Sequence, residues 1–163
     1  MLQLNERSSQ SEENIEVYWQ KASIQLEQLL EKAHQSKIKQ AFQTVISYLE
    51  KLIKQLRGHL SNTHYLLYQL HLLNGRLHMV LFEMDSSEES DAKQYLNVAI
   101  EEFKSILPSV DLILPSFWAT KIEIYSQYLD CLKRTNSLNK TNDLEKQILM
   151  IHLKLDIMLK VMK

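Results

Sequence analysis

Between Tyr65 and Met84 the chain is apolar on almost every side of a helix. Tyr65, Leu66, Leu67, Tyr68, Leu70, Leu72, Leu73, Leu77, Met79, Val80, Leu81, Phe82 and Met84 leave only a thin polar strip of His64, His71, Asn74 and His78. A helix apolar all round must be covered by neighbours on several sides. The chain is therefore expected to be organised around this enclosed third helix and to be helical throughout. Only two glycines and two prolines serve the turns of 163 residues, whereas an all-β chain needs many. Leucine leads the apolar set, and leucine keeps rotamer freedom in a helix that valine loses.

Apolar spacing gives six helices. Ser9-x-x-Glu12 fits a capping box opening the first. Its apolar face is Ile15, Tyr18, Trp19, Ala22, Leu26, Leu29, Leu30 and Ala33. The second carries Ile38, Ala41, Phe42, Val45, Leu49, Leu52, Ile53 and Leu56. The five-residue step from Ala33 to Ile38 breaks the stripe, so a tight turn is expected at His34–Ser36. Gly58 suits a left-handed cap on the second helix. One of Ser61–Thr63 suits the N-cap of the third. Asp85–Asp91 reads as a loop, with Ser86-x-x-Glu89 capping a fourth helix that Pro108 stops. Val110–Pro115 reads as a buried connector or one 3₁₀ turn, with Pro115 in the first turn of the fifth helix. Thr135–Asn142 is a polar loop, and Asn142-x-x-Glu145 caps the sixth helix. Length favours one domain. Residues 1–10 form a polar, disordered tail, and residues 11–163 a single all-helical domain. Its architecture is six antiparallel helices in three hairpins, stacked right-handedly or wrapped into an irregular bundle.

Net charge is −1, and no basic block is present to neutralise several phosphates, so no nucleic-acid partner is expected. No run approaches the ~18 apolar residues of a membrane span. Cys131 is the only cysteine, which excludes a disulfide framework and favours a reducing, intracellular setting, cytoplasmic or nuclear. Met1–Ser11 lacks the apolar segment of a secretory signal.

Ala92-x₃-Leu96-x₂-Ala99 resembles the small–large–small signature on the second helix of a tetratricopeptide repeat. Gly75 lies on the preceding helix, where those repeats favour a small residue for close packing. The resemblance covers residues 65–107. It implies a right-handed stack of helical hairpins that binds other proteins. The hairpins here begin near residues 12, 62 and 115, roughly fifty apart against ~34 in that repeat, so the likeness is one of architecture.

Few residues suggest chemistry. His64, His71 and His78 recur every seventh position, ~10 Å apart along a helix, while a shared zinc needs each nitrogen at ~2 Å. No metal site or cofactor is therefore expected. The three histidines read instead as the wet strip of a buried helix, or as a polar partner-binding groove of His71, Asn74 and His78. Arg57-x₆-His64 is similar to the Arg-x₄₋₆-His spacing of helical HEPN-type ribonucleases. That likeness implies an alternative role as a small ribonuclease or toxin, with Arg57 clamping phosphate and His64 as acid–base group. Cys131 falls in the apolar arc of the fifth helix and reads as a structural thiol.

The sixth helix is two-faced. Leu144, Ile148, Ile151, Leu155, Met158, Leu159 and Met162 form one apolar face, and Leu149, Met150, Leu153, Ile157 and Val161 another on the opposite side. A terminal helix of a stack should be polar outside. The second face is thus either tucked between helices of a bundle or a surface for another chain. The sequence favours a non-catalytic interaction module, an adaptor or scaffold subunit. It would bind another protein, or itself, through Leu149, Met150, Leu153, Ile157 and Val161, with no catalytic residue.

Overall fold

A computed structural model describes the backbone of residues 2–61, 64–84 and 89–162, and the side chains of the same residues except 2–13, 89 and 90. The protein is all-α: among the described residues there is no strand. Its helices are α1 (Leu2–Ser36), α2 (Lys39–Arg57), α3 (Tyr65–Met84), α4 (Glu89–Val110), α5 (Trp118–Leu138) and α6 (Asn142–Met162), with a 3₁₀ turn at Pro115–Phe117. Two compact units divide the chain, residues 1–67 and 68–163, where length alone favoured one domain.

The first unit is the α1–α2 hairpin. Backbone helix runs back to Leu2, through the segment expected to be a tail and past the expected capping box at Ser9–Glu12. No glycine or proline interrupts residues 1–36, so nothing in the backbone forces a break. Ala22, Leu26 and Ala33 of α1 are buried, as are Phe42, Val45, Ile46, Leu49, Leu52, Ile53 and Leu56 of α2. His34 sets its ring edge against Phe42, with centroids 5.5 Å apart. The Tyr48 hydroxyl donates to Gln25 Oε1 at 3.3 Å, and that of Tyr18 to Gln55 Oε1.

The hairpin turn lies at Lys37–Ile38, just beyond the expected His34–Ser36. Lys37 takes φ 55°, and its N–H donates to the Ala33 carbonyl at 3.0 Å. This is a left-handed helix cap made without glycine. Ser36 helps, its hydroxyl donating to the Ala33 carbonyl and accepting from the Ile38 amide. Gly58, expected to be such a cap, is instead right-handed at φ −70°. The Leu56 carbonyl accepts the amides of His59 and Leu60, so α2 unwinds through an ordinary turn that any residue could make.

In the second unit α5 lies between α4 and α6. Ala99, Ile100, Phe103, Ile106 and Val110 of α4, Ile124, Tyr125, Tyr128, Leu129, Cys131 and Leu132 of α5, Leu155 and Met158 of α6, and Leu72 of α3 make one core. A Cβ on Gly75 would stand 3.4 Å from the Phe103 ring and the Glu102 Cβ, in ordinary van der Waals contact, so α3 faces α4 here without the glycine being required.

Three ends differ from the sequence reading. Pro108 lies inside α4, which runs on to Val110. Proline forfeits only the bond to the Lys104 carbonyl on the exposed side, while the Asp111 amide still reaches Leu107 at 2.8 Å. The start of the polar run 135–142 is helical, as part of α5, and there Thr135 and Ser137 turn their hydroxyls back to the Cys131 and Lys133 carbonyls, which satisfies the side chains inside the helix. Thr141, one residue before Asn142, caps α6: its hydroxyl accepts the Leu144 amide at 3.2 Å. The Ser86–Glu89 box lies outside the described residues.

The two turn residues make opposite use of the backbone, and two substitutions expose this. Lys37→Gly removes the left-handed penalty, and Gly58→Ala narrows the unfolded ensemble at no native cost. Each is expected to raise stability by about 0.5 kcal/mol in thermal or denaturant unfolding. Destabilisation by either contradicts the assigned turn geometry.

Candidate functional site

The site is the outer face of α6, and its orientation is set by what the inner face holds. Leu155 and Met158 are buried against α5, with Leu144, Ile148 and Ile151 packed around them. Lys154 adds a polar anchor. Its ammonium donates to Asp111 Oδ1 and to the Tyr125 hydroxyl oxygen, both at 2.8 Å, and lies 4.6 Å from the Tyr125 ring centroid. Tyr125 in turn donates to Asp111 Oδ1 at 2.5 Å. Lys121 of α5, itself buried, stands 3.9 Å from the same carboxylate and 5.5 Å from the Trp118 ring.

This network shifts the titration of Asp111, Tyr125 and Lys154. Burial opposes the Asp111 charge, but the bonds from Lys154 and Tyr125 and the positive charges of Lys154 and Lys121 outweigh it and hold the carboxyl below its usual range. Burial and the bond to Asp111 push the Tyr125 phenol up. Burial works against the Lys154 charge, yet Asp111 and Tyr125 overcome it and raise the ammonium above its usual value. Sequence reading missed the cluster. Its signal was Lys121 standing on the same helical stripe as Trp118 and Tyr125, where an unpaired lysine would be costly.

With the inner face docked, Leu149, Met150, Leu153, Ile157 and Val161 are 55–68 % exposed. Between the two possibilities open in the sequence, the structure leaves this face uncovered. At 100° per residue these side chains share one arc, with Lys146 near its middle and Asp156, Lys160 and Asp143 towards its edges. Leu159 and Met162, half exposed, belong to the opposite face. The connector after α4, expected to be buried, also presents apolar side chains: Leu112, Leu114 and Phe117 are 81, 64 and 63 % exposed. Only Val110 and part of Ile113 enter the core, because the 3₁₀ turn at Pro115–Phe117 aims the rest outward.

The other candidate residues are placed differently. His71, Asn74 and His78 are 8, 2 and 6 % exposed, so the strip read as wet is as buried as its surroundings. Partners inside the second unit satisfy the two histidines. His71 Nδ1–H donates to Glu102 Oε2 at 2.5 Å, and His78 Nδ1–H to the Asn74 backbone carbonyl at 2.8 Å, with its ring beside Tyr95. The Asn74 side-chain oxygen is buried without a hydrogen-bond partner among the described residues. The strip therefore presents little surface to a partner, and His71 ties α3 to Glu102 of α4. Arg57 ends α2 and His64 precedes α3. His64 Nδ1 accepts the Leu66 amide at 3.1 Å, which makes the imidazole the N-cap of α3. An open cleft of about 420 Å³ in the first unit is lined by Asn14, Ile15, Tyr18, Gln55, Leu56 and His59, with no carboxylate among them. Among the described residues no three of His, Cys, Asp and Glu are grouped to hold a metal ion, and no helix is long and apolar enough to cross a membrane. No family model matches the chain, and no characterised protein or solved structure matches it either.

Cys131 is fully buried, its thiol donating to Met79 Sδ at 3.0 Å, and burial pushes its pKa up to about 12. Since the thiolate is the reactive form, a thiol reagent at pH 8 is expected to label Cys131 only when the protein is unfolded. Rapid labelling of the native chain contradicts the packing.

Asp111→Asn tests the anchor. Asp111 and Lys154 are both substantially exposed, so screening limits the loss to about 0.5–1 kcal/mol at pH 7. The folded Asp111 pKa is lowered, so its contribution is present above the unfolded value near ~3.9 and disappears as pH falls through the folded one. The folded Lys154 and Tyr125 values are raised, so their contributions hold below ~10 and disappear as pH rises through them. Thermal melts from acid to alkali are expected to show the parent's advantage over Asp111→Asn vanishing at the acid end. A gap that persists unchanged into strong acid contradicts the ion pair.

Proposed function

We propose that the chain is a non-catalytic protein-interaction module that docks another protein through the outer face of α6. The observation that carries this reading is the exposure of Leu149, Met150, Leu153, Ile157 and Val161 on a helix whose opposite face is already fixed in the core. Scattered apolar residues on a surface need no explanation, but five aliphatics on one arc form a patch of several hundred Å², the scale of an interface. The partner fitting it presents an apolar stripe of helical length, tolerant of shape because Met150 can adapt. The tetratricopeptide-like signature of Ala92, Leu96 and Ala99, with Gly75 packed against Phe103, supports the same class of role. Such a module serves as an adaptor or scaffold subunit of a larger assembly.

The double variant Leu153→Glu/Ile157→Glu is the test. Both side chains lie outside the core, so the variant is expected to melt within about 0.5 kcal/mol of the parent. Leu155→Glu, between them in sequence but on the inner face, is expected to cost about 3 kcal/mol or more by burying an unpaired charge. A partner captured by the parent is then purified and titrated against both proteins. The reading expects at least a tenfold weaker Kd for the double variant. Equal affinity for the two contradicts it.

A further inference from the structure

We infer that the connector between α4 and α5 docks on a lipid surface, with Leu112, Leu114 and Phe117 entering the boundary between headgroups and acyl chains of an anionic leaflet. This surface is separate from the outer arc of α6, and the inference does not rest on the reading of that arc. Three observations select lipid.

The first is the make-up of the tip. Leu112, Leu114 and Phe117 hold 81, 64 and 63 % of their surface in water within six residues of one another. No residue from Leu112 to Thr120 carries a charge. The last turn of α6 stands at the same end of the unit, because α6 runs back along α5 with Lys154 beside Tyr125. There Met162 continues the inner stripe of Leu155 and Met158 one turn further, over the start of α5, and is half exposed. The end of the second unit is thus apolar on both elements that form it.

The second is the backbone. Acyl chains offer no hydrogen bonds, so a loop that enters them must satisfy its own amides. The amides of Leu112, Ile113 and Phe117 donate to the Ser109, Val110 and Leu114 carbonyls at 3.2, 3.1 and 2.8 Å, and that of Trp118 donates to the Pro115 carbonyl. Pro115 has no amide to satisfy. The Trp118 indole N–H donates to the Ile113 carbonyl at 3.2 Å, so the ring is tied to the loop at the depth where tryptophan is favoured in membranes. The tip turns its apolar side chains outward while most of its backbone donors are bonded within the chain. A protein strand seeking an edge to pair with would find few amides here, and a partner helix docks along a straight stripe, which residues 112, 114 and 117 on a turn do not make.

The third is charge. Asp111 is the one acid between Ser105 and Ile122. The ammoniums of Lys154 and Lys121 stand 2.8 and 3.9 Å from its carboxylate, so it presents no net negative charge to a layer of phosphates. Lys160, in the last turn of α6, adds a cation near the tip, and Asp156 lies a full turn further back. An apolar tip backed by a collar of net positive charge suits an anionic leaflet, where each lysine near the surface strengthens binding.

The test uses the full chain and vesicles of phosphatidylcholine, alone or mixed with phosphatidylserine. The parent is expected to co-sediment with the vesicles and to partition several-fold more strongly into the mixed ones. Leu114→Ser/Phe117→Ser alters only exposed side chains, so it is expected to melt like the parent and to lose at least about tenfold in partitioning. Lys160→Glu is expected to weaken binding to the mixed vesicles several-fold and to leave binding to pure phosphatidylcholine unchanged. Depth is read by fluorescence. Trp19→Phe leaves Trp118 as the only tryptophan, and its emission is expected to be quenched by vesicles with brominated acyl chains, with helicity unchanged by circular dichroism. A parent that stays in the supernatant with both kinds of vesicle overturns the inference. So does equal partitioning of the parent and Leu114→Ser/Phe117→Ser, or binding that leaves Trp118 unquenched. Equal binding to the two kinds of vesicle overturns the anionic preference. A parent that ignores vesicles but binds a purified protein that Leu114→Ser/Phe117→Ser does not bind makes the tip a protein contact instead. The partner titration with Leu153→Glu/Ile157→Glu reads the arc of α6 separately.

Discussion

The second unit depends on α5 being buried along two flanks at once. Ile124, Tyr128 and Cys131 lie on one stripe of this helix, and Lys121, Tyr125 and Leu132 on another, yet all are buried. A single neighbour covers only one stripe, so both α4 and α6 are required to keep α5 out of water. This fixes α6 in place and decides which of its sides is spent on folding. Hydrophobic contact alone would allow a helix with two greasy faces to roll about its axis. The Lys154 contacts favour one rotation, because turning α6 would take the ammonium away from the Tyr125 hydroxyl and the Asp111 carboxylate, which would keep only each other and Lys121. The outward position of Leu153 and Ile157 follows from that choice.

The sequence was most legible where periodicity speaks alone. The extents of α2 and α3, the buried stripe of Ala92, Leu96, Ala99 and Phe103, and the two faces of α6 all follow from the 3.6-residue period. It was least legible at chain reversals, where punctuation residues mislead. Lys37 caps a helix in the left-handed region that Gly58 does not use, because the position of a turn is set by where the apolar stripe must reverse and not by where a glycine happens to stand. Pro108 passes inside α4 because its missing N–H falls on the exposed side near the end of the helix. Thr135 and Ser137 lie within α5 with their hydroxyls on the carbonyls four residues back, a placement that no composition rule separates from a loop.

The candidate site was half legible for a related reason. Spacing placed Leu149, Met150, Leu153, Ile157 and Val161 on one arc, but whether a neighbour covers that arc is a tertiary fact. The histidine strip failed the other way. His71, Asn74 and His78 looked like the wet side of α3, and the positions of Glu102 and of the Asn74 backbone carbonyl let the two histidines be buried, while the Asn74 side-chain oxygen is buried with no hydrogen-bond partner among the described residues. Polarity marks where a partner is needed, and it does not say whether that partner is water or protein. The exposed connector of Leu112, Leu114 and Phe117 was misread for the same reason, since an apolar run is not itself evidence of burial.

The central claim is that α6 turns one face to the core and leaves the other free for a second chain. Methionine supplies a probe on each face: Met158 is 4 % exposed and Met150 68 %, and oxidation to the sulfoxide follows access to the sulfur. The decisive measurement is site-resolved peroxide oxidation of the two residues in dilute protein, read by mass spectrometry. Rapid oxidation of Met150 with Met158 protected is the predicted result. Equal protection of Met150 and Met158 in dilute, monomeric protein would show the outer face already covered within the chain and would contradict the account.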